Sequence, residues 1–169
     1  MTLALANARK PRRPPGARVA QAEDPLEDTV SAAGFLRTWG FAWEGELKLS
    51  GLRRLQEAVE ALMESMVGGG RPADAALESI NDAAAGCGWV KRLTAALKLA
   101  EEPRWRDPVA GLAARCLVEI AACDSRRIKR CARPECGLFF YDTTRNANAR
   151  WHQEAPCGWR ARAQRRRKQ

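Results

Sequence analysis

The sequence predicts an α+β protein that is mainly helical, with a small cysteine-containing module and a basic tail at its C-terminal end. Apolar residues recur at helical spacing over most of residues 31–121, which predicts the helices. The period falters at residues 89–99, where a short β-ribbon is expected, and three of the six cysteines follow residue 125. We therefore divide the chain into a mainly helical domain, residues 1–125, and a small module, residues 126–169.

The first thirty residues have no single pattern. Leu3–Ala6 is an apolar run that can form a short strand, whereas Lys10–Gly16 is rich in proline and arginine and is expected neither to pack nor to hold a helix. The opening run is too short for a signal peptide and lacks a small-residue cleavage site. We expect a cytoplasmic protein, in which the cysteines are metal ligands or buried thiols rather than disulfides.

Three amphipathic helices are predicted next. The first begins at Ser31 as its N-cap, the second begins at Ser50 and ends at Gly68–Gly70, and the third runs from near Pro72 to Gly86. Each has an apolar face that is expected to enter the core. The residues of the three faces are, in order, Ala32, Phe35, Leu36, Trp39 and Trp43; Leu52, Leu55, Val59, Leu62 and Met66; and Ala76, Leu77, Ile80 and Ala84.

A ribbon and one more helix complete the predicted domain. Trp89–Leu99 favours a short hairpin, and Asp107 is suited to cap the next helix, with Pro108 at its first position. That helix runs toward Asp124, and the basic segment Arg126–Arg130 follows. Its buried face is formed by Val109, Leu112, Cys116 and Ile120. No stretch reaches the roughly 18 uninterrupted apolar residues of a membrane span, so no membrane partner is expected.

The module contains two pairs of metal-ligating residues. Cys131 and Cys136 are separated by four residues, and so are His152 and Cys157. A tetrahedral Zn²⁺ requires two such pairs on short loops, with a segment between them that brings the pairs together. Because so short a module has too little apolar area to fold alone, the ion would supply its stability. The sequence predicts one structural zinc, held by these four side chains.

The residues around the ligands support the same site. Gly137 and Gly158 each follow a ligand and let the backbone pass close to the sulfur. Three thiolates and one imidazole leave the zinc complex with a charge of −1, which nearby arginines can offset; these are Arg133, Arg145 and Arg150. Leu138–Tyr141 is expected to form a strand under the zinc, with Trp151 closing the other side.

The positive charge is concentrated where a polyanion would bind. Residues 126–169 hold thirteen Lys/Arg against three Asp/Glu, a net charge of +10, and their tail reads GWRARAQRRRKQ. A helix without an apolar stripe is not held by core packing, but its charges become favourable against phosphate. The expected partner is nucleic acid, DNA more than RNA. The candidate contacts are Arg160, Arg162, Arg165, Arg166, Arg167 and Lys168 in the tail, and Arg145, Asn146, Asn148 and Arg150 in the loop between the ligand pairs.

These residues resemble the CGNR zinc finger over residues 128–168. The shared pattern is Cys-x4-Cys, then Leu-Phe-Phe-Tyr-Asp-Thr-Thr-Arg-Asn, then Arg-Trp-His-x4-Cys-Gly-Trp-Arg. His152 stands where the family has its third cysteine, which zinc tolerates because imidazole also binds it, and Trp159 stands where the family has asparagine. Such fingers end bacterial proteins of the ABATE type, described as stress-induced transcription regulators, and Leu3–Asn7 is similar to the strand-then-asparagine opening of that domain.

The leading hypothesis is a DNA-binding transcription regulator whose N-terminal domain senses a small molecule or a protein partner. A zinc-held RNA-binding or ribosome-associated protein is an alternative, since arginine-rich tails also suit structured RNA. A protein-interaction module is a third hypothesis. An enzyme is not expected, because four protein ligands close the zinc and the chain has one histidine and no Gly-rich phosphate loop.

Overall fold

The computed structural model describes residues 1–9, 24–41, 43, 45–105 and 107–167 of the chain. Over these residues it is mainly helical with two small antiparallel sheets, which confirms the predicted fold class. The elements, in chain order, are α1 (Thr2–Ala6), α2 (Thr29–Thr38), α3 (Leu49–Met66), α4 (Asp74–Ala84), β1 (Cys87–Leu93), β2 (Leu99–Trp105), α5 (Pro108–Ala121), β3 (Ile128–Arg130), β4 (Phe139–Tyr141) and α6 (Trp159–Arg167). None of the helices in these ranges is long and apolar enough to cross a membrane. The Pro/Arg-rich segment Lys10–Gly16 lies outside the described residues.

One continuous core joins the helices to the C-terminal module. Its fully buried side chains come from each of the first five helices, and include Leu5, Leu36, Leu62, Ile80 and Leu112. Ile128 of β3 and Phe139 of β4 belong to the same apolar cluster. Because these two strands are packed on the helical body, the loops that leave them start from a fixed base.

The predicted strand at Leu3–Ala6 is wrong, because this segment forms α1. The Leu5 N–H donates to the carbonyl of Met1 at 3.0 Å, and the Asn7 N–H donates to the carbonyl of Leu3 at 3.1 Å. A short apolar run cannot be assigned by its period, and here it is buried on successive residues rather than on alternate ones. Burial of the consecutive residues Ala4–Ala6, together with the high helix propensity of alanine and leucine, favours the helix.

Two helices have their N-caps two or three residues earlier than predicted. The N-cap of α2 is Asp28, whose carboxylate accepts the N–H of Ser31 at 2.8 Å, so Ser31 lies inside the helix. α3 follows Lys48, which makes no side-chain capping bond, and Ser50 lies in its first turn. A carboxylate at the helix N-terminus is favoured by the helix dipole as well as by its hydrogen bond, which explains the preference for Asp28.

Two tryptophans predicted on the face of α2 lie elsewhere. The helix ends before Trp39, whose side chain is 45% exposed, and Gly40 turns the chain with a φ of +68°. Beyond this turn Trp43 stacks on Phe41 with ring centroids 5.9 Å apart, and Phe41 stacks in turn on Trp105 at the same distance. The rings therefore fasten the α2–α3 connection to the end of β2.

The remaining predicted elements are confirmed. Gly68 and Gly69 adopt φ values of +70° and +86° just beyond α3, as expected for residues that end a helix. The predicted ribbon is present but longer, with β1 and β2 paired in register from Cys87↔Trp105 to Leu93↔Leu99. Asp107 caps α5 by accepting the N–H of Val109 at 2.9 Å.

Two helical glycines offer a matched test of this packing. A Cβ at Gly111 of α5 would lie 2.4 Å from the ring of Trp105, whereas a Cβ at Gly34 of α2 would meet no atom within 4 Å. We expect Gly111→Ala to destabilise the protein by about 1–3 kcal/mol through overpacking. We expect Gly34→Ala to stabilise it by about 0.5–1 kcal/mol, because alanine is the better helix former. Urea unfolding of the two variants measures both signs, and equal effects would contradict the packing of Trp105.

Candidate zinc centre and nucleic-acid interface

The four predicted ligands come together in the folded chain. Their donor atoms in Cys131, Cys136, His152 and Cys157 all lie within 4.8 Å of one another. Nδ1 of His152 lies 3.4 Å from the sulfur of Cys136 and 3.7 Å from that of Cys157. Zn–S and Zn–N bonds of about 2.3 and 2.0–2.1 Å at a tetrahedral angle place sulfur and nitrogen about 3.6 Å apart. The donor set therefore fits one tetrahedral zinc, which confirms the predicted cofactor.

Short backbone contacts hold the ligands in place. Cys131 directly follows β3, and its N–H donates to the carbonyl of Leu138 at 2.9 Å. The N–H of Cys136 donates to the carbonyl of Arg133 at 2.9 Å, and Gly137 reverses the chain with a φ of +60°. The two ligand loops are tied together by the Ala132 N–H, which donates to the Arg150 carbonyl at 2.8 Å. The first ligand loop is thus positioned by the β3–β4 ladder, and the second is tied to the first.

The ionisation of the ligands is linked to the metal. Burial raises the pKa of the Cys136 thiol to about 12, although the Leu138 N–H donates a hydrogen bond to its sulfur and acts in the opposite direction. Burial lowers the pKa of His152, which favours the neutral imidazole that binds zinc. Without a cation the buried thiol is protonated at neutral pH, so zinc binding releases protons and is expected to weaken as the pH falls.

One of the three arginines expected near the zinc lies beside a ligand. Arg133 is only 6% exposed and opposes the rise that burial causes in the pKa of the Cys157 thiol. Its Nε also donates to Glu135 at 3.0 Å, and the other oxygen of Glu135 accepts from Gln164 of α6 at 3.2 Å. Glu135 therefore links Arg133 to the arginine-rich helix through two polar contacts. Arg145, by contrast, is exposed on the loop between the ligand pairs.

That loop is built around Asp142, which is completely buried. Its carboxylate accepts from the ammonium of Lys129 at 2.6 Å, from the N–H and hydroxyl of Thr144 at 2.9 and 2.6 Å, and from the N–H of Ala149 at 2.8 Å. Burial alone would raise the pKa of Asp142, but these hydrogen bonds outweigh it and hold the pKa well below its usual value. The loop therefore keeps a charged anchor at neutral pH and loses it only in strong acid.

The anchored loop presents its predicted contact residues to solvent. The Arg127 guanidinium donates to the Asp142 and Thr144 carbonyls at 2.8 Å each, and the Lys129 ammonium also donates to the carbonyl of Ala147, a residue with a φ of +47°. The backbone of the loop is therefore held by Arg127 and Lys129 on the side that faces β3. The exposed side chains on its outer side are those of Arg145, Asn146, Asn148 and Arg150.

Sequence counting overestimates the free positive charge of the module. Lys129 and Arg127 support the loop, Arg126 pairs with Asp124, and Arg130 pairs with Glu64 at 2.7 Å. Only part of this charge thus remains available to a polyanion.

The predicted tail forms the exposed helix α6, whose residues differ in their contacts. Arg162 pairs with Glu154 and lies over the ring of Trp151, with its guanidinium 5.6 Å from the ring centroid. Arg160 is partly buried. Arg165, Arg166 and Arg167 are exposed, and no acidic partner is found for them in the described ranges. Lys168 lies outside the described residues. The nucleic-acid contacts themselves stay predictions. Among the predicted contact residues of α6, Arg165–Arg167 are the most accessible to a ligand.

Sequence reasoning missed the role of Asn7. Its side chain donates to the carbonyl of Phe139 at 2.8 Å and accepts the N–H of the same residue at 2.8 Å, so it pairs with β4 as a neighbouring strand would. Asn7 is 8% exposed and ties α1 to the strand that precedes the finger loop. The resemblance at Leu3–Asn7 marked the asparagine but did not indicate its partner.

We expect Asn7→Ala to destabilise the protein strongly. The change removes the two buried hydrogen bonds that Asn7 makes to the backbone of Phe139, each of which contributes about 0.5–1.5 kcal/mol. The exposed Asn81 of α4 provides a control, since Asn81→Ala is expected to change the stability by no more than about 0.5 kcal/mol. Chemical denaturation measures both variants, and equal stabilities would mean that Asn7 does not fasten β4.

Comparison with known proteins identifies both parts of the chain. The model of the CGNR zinc finger matches residues 127–169, which contain the four ligands. The model of the ABATE family, described as a putative stress-induced transcription regulator, matches residues 1–123. A search of curated proteins finds no match. Because the second match spans most of the chain, this protein belongs to the ABATE family, and it carries a CGNR zinc finger after the ABATE region.

Proposed function

We propose that this protein is a zinc-dependent DNA-binding transcription regulator. The observation that carries the proposal is the placement of Arg165–Arg167 on an exposed helix that begins two residues after a zinc ligand and has no apolar face to bury. A helix of this kind gains free energy against a phosphate backbone, because each neutralised phosphate releases counterions. The family's description as a stress-induced transcription regulator supports the same function.

Two surfaces of the finger have different roles in this function. α6 supplies sequence-independent affinity through its arginines, and the loop anchored by Asp142 supplies side chains that can read base edges. Arginine pairs with guanine and asparagine with adenine in the major groove, so Arg145 and Asn146 suit that role. The zinc cross-links the two ligand loops and takes no part in chemistry, since four protein donors leave no open coordination position.

The ABATE region is proposed to sense a small molecule or a protein partner. Its connection to the finger is direct, because Asn7 pairs with β4 and Ile128 and Phe139 lie in the shared core. A change in the packing of α1 would therefore reach the base of the finger loop. We propose no enzymatic activity.

A competition experiment tests the proposed function. Labelled duplex DNA of random sequence is bound to the zinc-loaded protein at matched salt and then challenged with unlabelled duplex DNA or structured RNA. We expect the duplex to compete better, and repeated selection from the random pool to enrich a common sequence. Stronger competition by RNA would favour an RNA-binding protein, and binding to neither would favour a finger that docks a protein partner.

A further inference from the structure

His152 has one ring nitrogen that the ligand cluster does not use. Nδ1 faces the sulfurs of Cys136 and Cys157 at 3.4 and 3.7 Å, so Nε2 lies on the far side of the ring. With Nδ1 bound to the metal, Nε2 carries the proton and is a hydrogen-bond donor. Metal-bound histidines almost always donate this proton to an acceptor. Among the described residues of this chain, none accepts a hydrogen bond from Nε2.

The half-buried ring lines an open cleft of about 460 Å³ beside the anchored loop. The other walls include Phe140, Asn148, Arg150 and Trp151. The cleft thus lies between the loop proposed to read bases and the zinc ligand. An acceptor that enters it from solvent can reach both the loop and the imidazole.

The charges around the cleft favour an anion. Arg150 is exposed, and its guanidinium lies over the ring of Trp151, 5.5 Å from the ring centroid. Two carboxylates also line the cleft, but both are paired: Asp142 is buried against Lys129, and Glu154 pairs with Arg162. The imidazole N–H and the guanidinium together suit the oxygens of a phosphate.

We propose that the Nε2–H of His152 and the guanidinium of Arg150 bind one phosphate of the nucleic-acid backbone in this cleft. The inference rests on the proposed function and specifies one of its contacts. The contact depends on His152, which stands where the family has a cysteine. A cysteine at position 152 would bind zinc but would have no proton left to donate. The contact would fix the position of the loop along the nucleic-acid backbone, but it would not distinguish one base sequence from another.

Nuclear magnetic resonance of the imidazole tests the proposal in the intact, zinc-loaded protein. His152 is the only histidine of the chain, so its ring signals are unambiguous. On addition of duplex DNA we expect the Nε2–H signal to shift and its exchange with water to slow, as a solvent-exposed donor becomes a phosphate-bound one. An Nε2–H signal that stays unchanged when the duplex is fully bound would overturn the phosphate contact.

The variant His152→Cys provides the second measurement. We expect it to hold one zinc per chain by elemental analysis and to bind duplex DNA about tenfold more weakly, the loss of one charge-assisted hydrogen bond. The fourth thiolate also adds a negative charge, whose repulsion is screened at about 0.5 M salt. A deficit that persists at this salt supports the hydrogen bond, and a deficit that disappears there overturns it. Arg150→Gln leaves the zinc ligands intact and should weaken binding to duplex DNA. The Nε2–H signal of His152 in this variant should still shift when the duplex is added.

Failure of this contact and failure of the proposed function give different results. If zinc-loaded His152→Cys binds the duplex as tightly as the wild type, the phosphate contact is wrong and the DNA-binding function stands. If the wild-type protein itself does not bind duplex DNA, the proposed function is wrong, and the inference fails with it.

Discussion

Replacing Cys136 by serine is expected to release the zinc and unfold the finger. The thiolate is one of four donors, and a structural zinc contributes apparent binding free energies of roughly 10–16 kcal/mol at neutral pH, so loss of one ligand lowers the affinity by orders of magnitude. Elemental analysis of protein purified without chelator should find one zinc per wild-type chain and little in the variant. Binding to duplex DNA should be lost together with the zinc, because the metal site that positions both α6 and the loop is then no longer formed.

The helical region provides the internal control for this variant. The helices α2, α4 and α5 contain no zinc ligand and bury apolar side chains of their own, so the helical signal in circular dichroism should be largely kept. Cys87 lies in the β1–β2 ribbon, outside the ligand cluster, and Cys87→Ser should retain the full equivalent of zinc. Wild-type protein with less than half an equivalent of metal would contradict the zinc assignment itself.

Neutralising the exposed arginines of α6 is expected to have the second large effect. We expect Arg165, Arg166 and Arg167 changed together to glutamine to reduce the affinity for duplex DNA about 10²–10³-fold at 0.1 M salt. If each contacts one phosphate, the slope of log affinity against log salt should become less negative by about 2.7. Both quantities can be measured by fluorescence anisotropy over a salt series. Glutamine keeps the helix propensity, so the change acts on charge alone.

A matched control removes the same charge from another surface. Lys48, Arg54 and Lys98 are exposed at the start of α3 and in the β1–β2 turn, outside residues 126–169, and their combined change to glutamine gives the same net charge. We expect this variant to keep nearly the wild-type salt slope. If the two triple variants lose affinity equally, binding depends on the overall charge, and α6 is not the contact surface. If neither loses affinity, the contact lies elsewhere.

The sequence predicted those features that depend on a few neighbouring residues. The four ligands could be identified because each pair lies on one short loop, where spacing alone determines whether two donors can share an ion. The ribbon, α4 and the cap of α5 were predicted for a similar reason, since periodicity and capping act within one or two turns of chain. The fold class followed from these local patterns.

Features that depend on distant neighbours could not be predicted in this way. The sequence marks Lys129 and Arg127 as positive charges available to a polyanion, but Asp142 and the carbonyls of the loop bind both of them. Leu3–Ala6 is compatible with a strand or a helix, and the burial of its consecutive residues Ala4–Ala6 favours the helix α1. The pairing of Asn7 with Phe139 joins residues 132 positions apart, which no local pattern encodes.

The sequence by itself therefore determined which side chains bind the metal and where the positive charge is concentrated, because both are properties of short segments. The tertiary structure alone decided which cations stay free for a ligand, which nitrogen of His152 remains unused, and how α1 is fastened to the base of the finger. Each of these depends on how groups far apart in the chain satisfy one another's charges and hydrogen bonds once they are buried together.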